Sequence, residues 1–181
     1  MSMQGFATRA WRAALLDPQT YEEVEADRAA TRQALMVVLL SALGAGLGSI
    51  ENSGASGILG STLAALLGWW IWAWVAYRIG THMLPSADTS ADHGELLRTI
   101  GFSSAPGILR IFAVIPAIAG WVYLLATLWM LVAMVVGVRQ ALDYAESTRG
   151  TLRAVAVCAI GFPIYGLFLV LSLLLLGPWP V

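Results

Sequence analysis

"GFSSAPGILRIFAVIPAIAG", residues 101–120, is apolar enough to enter a bilayer, yet it contains Pro106, Pro116 and, near its middle, Arg110. Proline interrupts a helix and a cation is costly in hydrocarbon, so the way this stretch crosses decides the fold. The chain around it leaves little choice of setting. Of its 181 residues, 59% are hydrophobic and 12% charged, against roughly 45–50% and 25% in soluble domains. A hydrocarbon core of about 30 Å takes about 20 apolar residues at 1.5 Å each. Five blocks qualify or nearly so, at approximately residues 34–50, 57–79, 99–119, 120–138 and 153–176. The reading is an all-α polytopic membrane bundle with five transmembrane helices, the third broken or re-entrant near Pro106, plus an N-terminal amphipathic helix. Residues 1–32 form the cytoplasmic N-terminal helices and residues 33–181 the membrane domain.

Charge sets the orientation. All ten basic residues are arginines, and Arg9, Arg12, Arg28, Arg32, Arg78, Arg98, Arg139, Arg149 and Arg153 all fall on one side if the amino terminus is cytoplasmic. The opposite side, "ENSGASG" and the junction near Gly120, holds only Glu51 as a charge. The positive-inside rule therefore expects a cytoplasmic amino terminus and an outward "GPWPV" carboxyl end. This distribution argues for orientation and against a nucleic-acid partner. The single cysteine, Cys158, supports neither a disulfide framework nor a thiolate metal cage. The first thirty or so residues carry charges throughout and no compact apolar run, so the first span is expected to do the targeting.

In "FATRAWRAALL", Phe6, Trp11 and Leu15 fall near one helical face, with Arg9 and Arg12 near the other, the pattern of a helix lying on a membrane surface. Asp17 before Pro18 resembles an N-cap with proline at the first helical position, and Thr20 with Glu23 offers a competing capping box. From Tyr21 the pattern has no breaker, so one helix is expected to run from the cytoplasm into the membrane.

Two geometries accommodate Arg110. Counted along a helix from Arg98, it lies about 18 Å in, near mid-membrane, beside a polar path or a buried partner such as Asp143 or Glu95. Alternatively, Pro106 starts a new helix, "HGELLRTIGFSS" lies in the interface with Leu96, Leu97, Ile100 and Phe102 dipping into lipid, and Arg110 snorkels from about 6 Å inside. The second leaves too few residues between Pro106 and Pro116 for a straight crossing, which would make 106–138 a bent hairpin facing its neighbours. Ser103 and Ser104 join Arg110 as polar intramembrane candidates, and Gly101, Pro106, Gly107 and Pro116 mark the break.

Other motifs have plainer readings. "GASG", residues 54–57, matches the short serine motif of rhomboid-type intramembrane proteases, but His82 and His93 fall across the bilayer from Ser56, roughly 30 Å from the proton it would have to give up. A flexible outer turn is the expectation. His82, Asp88, Asp92, His93 and Glu95 sit in one connector without metal-ligand spacing, so a solvated loop is expected, with no metal and no cofactor. Gly44 and Gly48 form GxxxG, which favours close helix packing within one chain or between two. In "WWIWAWVAYR", Trp70, Trp74 and Tyr77 share a face while Trp69 and Trp72 point elsewhere, the pattern of an aromatic belt anchored by Arg78. A lipid or pigment groove is the alternative. Arg139 and Asp143, four apart, are positioned for a local brace.

The order of "LLDPQTYEEVEADR", "LLRTIGFSSAPGILRIFAVIPAIAG" and "LWMLVAMVVGVRQALDYAESTRGTLRAVAV" resembles bacterial members of the Yip-domain family over about residues 10–176. The most specific part is Gly101, Phe102, Ala105, Pro106 and Gly107, followed by Leu142, Asp143 and Tyr144 at a helix end. The resemblance implies five transmembrane helices, a cytoplasmic amino terminus and no catalytic activity. Eukaryotic relatives are associated with vesicle transport and Rab-type GTPases through a longer cytoplasmic region. Only about thirty residues precede the membrane here, so that role is not carried over. A lysine-free composition points to a GC-rich bacterial source. The expected function is a non-enzymatic inner-membrane protein that binds or organises a membrane partner, a second copy of itself, or lipid. The alternative is a small anion channel or transporter with Arg110 in its path.

Overall fold

The computed structural model describes residues 3–48 and 50–176, with side chains at 5–48, 58–167 and 170. The described residues are mostly helical, without strands. α1 (Met3–Ala14) and α2 (Pro18–Ala26) precede α3 (Ala30–Gly48) and α4 (Ile50–Arg78), which a π-turn extends over Ile79–Met83. α5 (His93–Phe102), a 3₁₀ segment (Ala105–Val114), α6 (Ala119–Ala141) and α7 (Thr148–Leu176) complete the chain. Four stretches are long and apolar enough to cross a membrane, at Ala30–Gly48, Ile58–Met83, Ala119–Ala141 and Thr148–Leu167.

The unbroken helix expected from Tyr21 does not form, because Asp27 interrupts it. Its carboxylate accepts from the Ala29 N–H at 2.9 Å and from Arg9 at 2.8 Å, while its carbonyl takes the Ala30 N–H at 2.8 Å. That local turn competes with helix propagation, as aspartate side chains often do. α1 also departs from the surface-helix pattern. Phe6, Ala10 and Ala13 pack against Tyr21, Ala34 and Phe102, leaving Trp11 and Leu15 exposed. Arg9 and Arg12 are held in ion pairs, with Asp27 at 2.8 Å and Asp17 at 2.6 Å respectively. "ENSGASG" is helical, lying inside α4 where an outer turn was expected. The side chain of Ser56 and the whole of "GPWPV" lie outside the described residues.

The stretch from His93 to Val114 is the spine of the bundle. α5 is buried on all sides by α2, α3, α4 and α6, so Leu96, Ile100 and Phe102 are core residues and the interfacial reading of this helix is corrected. Its start is fixed by a capping box, in which the Glu95 N–H donates to Asp92 Oδ1 and the Asp92 N–H to Glu95 Oε2 at 2.8 and 2.7 Å. Its continuation runs alongside α3 in the same direction. A Cβ on Gly101 would lie 2.6 Å from that of Ala34, one on Gly107 would meet Ser41 Oγ, and the Gly44 and Gly48 positions abut the carbonyls of Ile108 and Arg110. The GxxxG motif of α3 therefore seats the 3₁₀ backbone of the same chain, while Gly46 faces Ile58 of α4. Ten residues of 3₁₀ helix at about 2.0 Å each make the segment roughly 20 Å long, continuing from the end of α5.

Candidate functional site

Arg110 leaves the 3₁₀ segment toward α6. Its Nη2 donates to Thr127 Oγ1 at 2.9 Å, and its Cζ lies 5.9 Å from the centre of the Tyr123 ring. Tyr123 in turn donates through its hydroxyl to the Ala45 carbonyl at 2.8 Å, tying the cation's level to the Gly48 end of α3. Of the partners named from the sequence, Asp143 and Glu95 are engaged elsewhere, and Thr127 takes that place. The residue passed over was Thr127, the one serine or threonine of α6, whose only signal was its polarity. Among the described residues Arg110 has no carboxylate partner, and its Nε is buried without an acceptor.

The guanidinium lines a cavity of about 250 Å³ between α3, α4 and the 3₁₀ segment, bordered also by Ser41, Ser61, Ser104, Trp69 and Trp72. The two serines paired in the sequence are separated here. Ser104 faces the cavity, whereas Ser103 is 1% exposed and bolts α5 to α6 by donating to the Thr99 and Ala133 carbonyls, both at 3.0 Å. Pro106 sits in the first turn of the 3₁₀ segment and Pro116 in the turns that follow it.

The aromatic cluster is split as well. Trp70 and Trp74 are exposed, Trp70 edge-on to His93 and Trp74 under the Arg78 guanidinium at 6.0 Å, as interfacial anchors would be. Tyr77 stands edge-on to His82. Trp69 donates to the Leu97 carbonyl at 2.8 Å, and Trp72 is 4% exposed, stacked on Phe162 at 4.4 Å. Trp72 is therefore a core residue, and with Trp69 it walls the end of the cavity away from Ser61. Its indole N–H has no acceptor among the described residues.

On the other side of the bundle, Arg98 is buried and donates through Nε to the carbonyls of Val24 and Glu25 at 3.0 and 2.9 Å, with Nη2 also on Glu25. A cation thus meets the C-terminal carbonyls of α2, where the helix dipole is negative. Beside it a cavity of about 410 Å³ is lined by Glu22, Glu25, Gln140, Asp143 and Glu146. Burial, then the nearby carboxylates of Asp143, Glu95 and Glu22, push Glu25 up to about 8, against which Arg98 acts only weakly. The expected Arg139–Asp143 brace is absent. α6 ends at Ala141, Asp143 takes a left-handed backbone at φ 50° and accepts from the Ser90 N–H, and Arg139 pairs with Glu146 at 3.0 Å. Among the described residues no three His, Cys, Asp or Glu side chains are grouped to hold a metal ion.

A family model for the Yip1 domain matches residues 12–176. No curated protein and no solved structure matches the chain.

Proposed function

The chain belongs to the Yip1 domain family and is a multi-pass membrane protein; from that premise we propose that it is non-enzymatic and works by binding, holding a lipid or a membrane-protein partner in the bacterial inner membrane. Its topology is five crossings with the amino terminus cytoplasmic and the carboxyl terminus periplasmic. The third crossing is the 3₁₀ segment together with the end of α5 that leads into it. Residues 1–32 stay on the cytoplasmic face, and α2 docks against α5 and α6.

The observation that carries the binding reading is Arg110, a cation without a carboxylate partner among the described residues, opening on an apolar cavity within the membrane domain. Intramembrane cations are retained where they do work. Several titratable groups elsewhere are engaged structurally: Asp92 with Glu95 in a cap, Arg98 on the end of α2, Arg139 with Glu146. Purification in mild detergent is expected to carry a stoichiometric lipid or protein partner. A bare monomer with neither overturns the reading.

The alternative, an anion path through Arg110, draws on Ser41, Ser61 and Ser104 lining the same cavity. It requires Arg110-dependent flux in reconstituted vesicles, and flux unchanged by Arg110→Leu removes it.

A further inference from the structure

The cavity beside Arg110 has two unlike ends and an apolar middle. Its polar end is set by Ser61 of α4, Ala45 of α3 and Arg110. These share a level, since Tyr123 beside Arg110 bonds the Ala45 carbonyl and the neighbouring Gly46 abuts Ile58. Its other end is closed by Trp69, Trp72, Phe162 and Tyr165, and Val38, Ala42 and Ala65 lie between. From Ser61 to Trp72 the α4 axis rises about 16 Å.

Three features restrict what such a space can hold. Arg110 keeps its charge without a carboxylate, and its Nε has no acceptor among the described residues, so the polar end calls for an anion. The walls between are mostly methyl, methylene and aromatic surface, broken by the Ser41 and Ser104 hydroxyls, so a hydrated ion alone would leave much of them wetted at a cost. At about 250 Å³ the space is narrower than the roughly 300–1,000 Å³ of drug-sized sites and suits one chain. Ser61 is exposed, so this end of the space opens to the surface of the bundle.

The geometry points to this cavity as a site for an anionic phospholipid, its phosphate accepting from Arg110 and one acyl chain running between α3 and α4 toward Trp69 and Trp72. The inference rests on the binding reading above and names its ligand. Phosphate and guanidinium pair through charge-assisted hydrogen bonds, and among the described residues no carboxylate competes for Arg110.

The test is native mass spectrometry of the full chain, reconstituted in vesicles of phosphatidylglycerol and phosphatidylcholine and extracted in mild detergent. Wild type is expected to retain one phosphatidylglycerol in preference to phosphatidylcholine. Arg110→Leu should lower that retention roughly tenfold or more, the loss that follows from removing a charge-assisted hydrogen bond. Arg110→Lys should restore part of it. Ala65→Phe, which fills the channel and spares the cation, should lower it comparably, with helicity checked by circular dichroism for each variant. Equal retention of the two lipids, displacement by inorganic phosphate alone, or retention unchanged in both Arg110→Leu and Ala65→Phe overturns the inference. If wild type still holds a lipid or a protein that these substitutions do not disturb, the binding reading survives while this site fails. If it holds nothing, both fail.

Discussion

Gly48→Ala tests the path of the chain through the bundle. A Cβ at this position would press on the Arg110 carbonyl and sit 3.0 Å from the Ala113 Cβ. The obstacle is backbone, which cannot swing aside as a side chain end can, so the strain falls on the α3 contact with the 3₁₀ segment. Overpacking of this kind costs about 1–3 kcal/mol, and alanine returns up to about 1 kcal/mol in helix propensity. A net loss of about 1–2 kcal/mol is expected. Gly60 provides the internal control, since a Cβ there meets nothing within 4 Å, and Gly60→Ala should be neutral or stabilising by up to about 1 kcal/mol. At about 2–4 °C per kcal/mol for a chain of this size, the expected gap of about 1–3 kcal/mol should separate the two melts by roughly 2–12 °C. Thermal unfolding in mild detergent, followed by tryptophan fluorescence, reads this directly, with light scattering reporting the oligomeric state. Equal melting of the two variants refutes the packing argument. Unchanged melting with altered association means that the GxxxG face meets a second copy instead.

Three further outcomes follow from the other face of the bundle. Arg98→Met removes the donors on the Val24 and Glu25 carbonyls, so α2 should loosen by about 1–3 kcal/mol, seen as faster hydrogen exchange over residues 18–26 with α4 and α7 unaffected. Glu25 binds its proton more tightly in the fold than its ordinary value of 4.5 allows, with a folded value of about 8. Its contribution is therefore fully present below about pH 4.5 and is lost as pH rises through about 8. Exchange from α2, corrected for intrinsic base catalysis, should quicken between about pH 4.5 and 8, and Glu25→Gln should flatten that dependence. Asp92→Ala dissolves the capping box of α5 and should cost about 0.5–2 kcal/mol in the melt; no loss would mean that tertiary burial alone fixes the start of that helix.

The setting was legible from local sequence. Runs of apolar residues long enough for a bilayer identify α3, α4, α6 and α7 as candidate membrane helices, and Pro106 with Gly101 and Gly107 marks the place where α5 gives way to the 3₁₀ segment. These are properties of a few neighbouring residues, and hydropathy sums them without knowing what lies beside them. The cavity was not legible in the same way. Helices that are apolar all round carry no stripe to say which face is buried: Trp70 and Trp72 are equally hydrophobic in the chain, yet one is exposed and the other is stacked on Phe162, far along the sequence. Arg110 was visible as an anomaly, whereas its partner Thr127 and the cavity it faces came from the approach of α3, α4 and α6. The sequence alone determined that this chain belongs in lipid and where its helices break. Only the tertiary structure decided which way Arg110 turns and which glycines receive the 3₁₀ backbone, because those depend on contacts between residues far apart in the chain, and local composition carries no record of them.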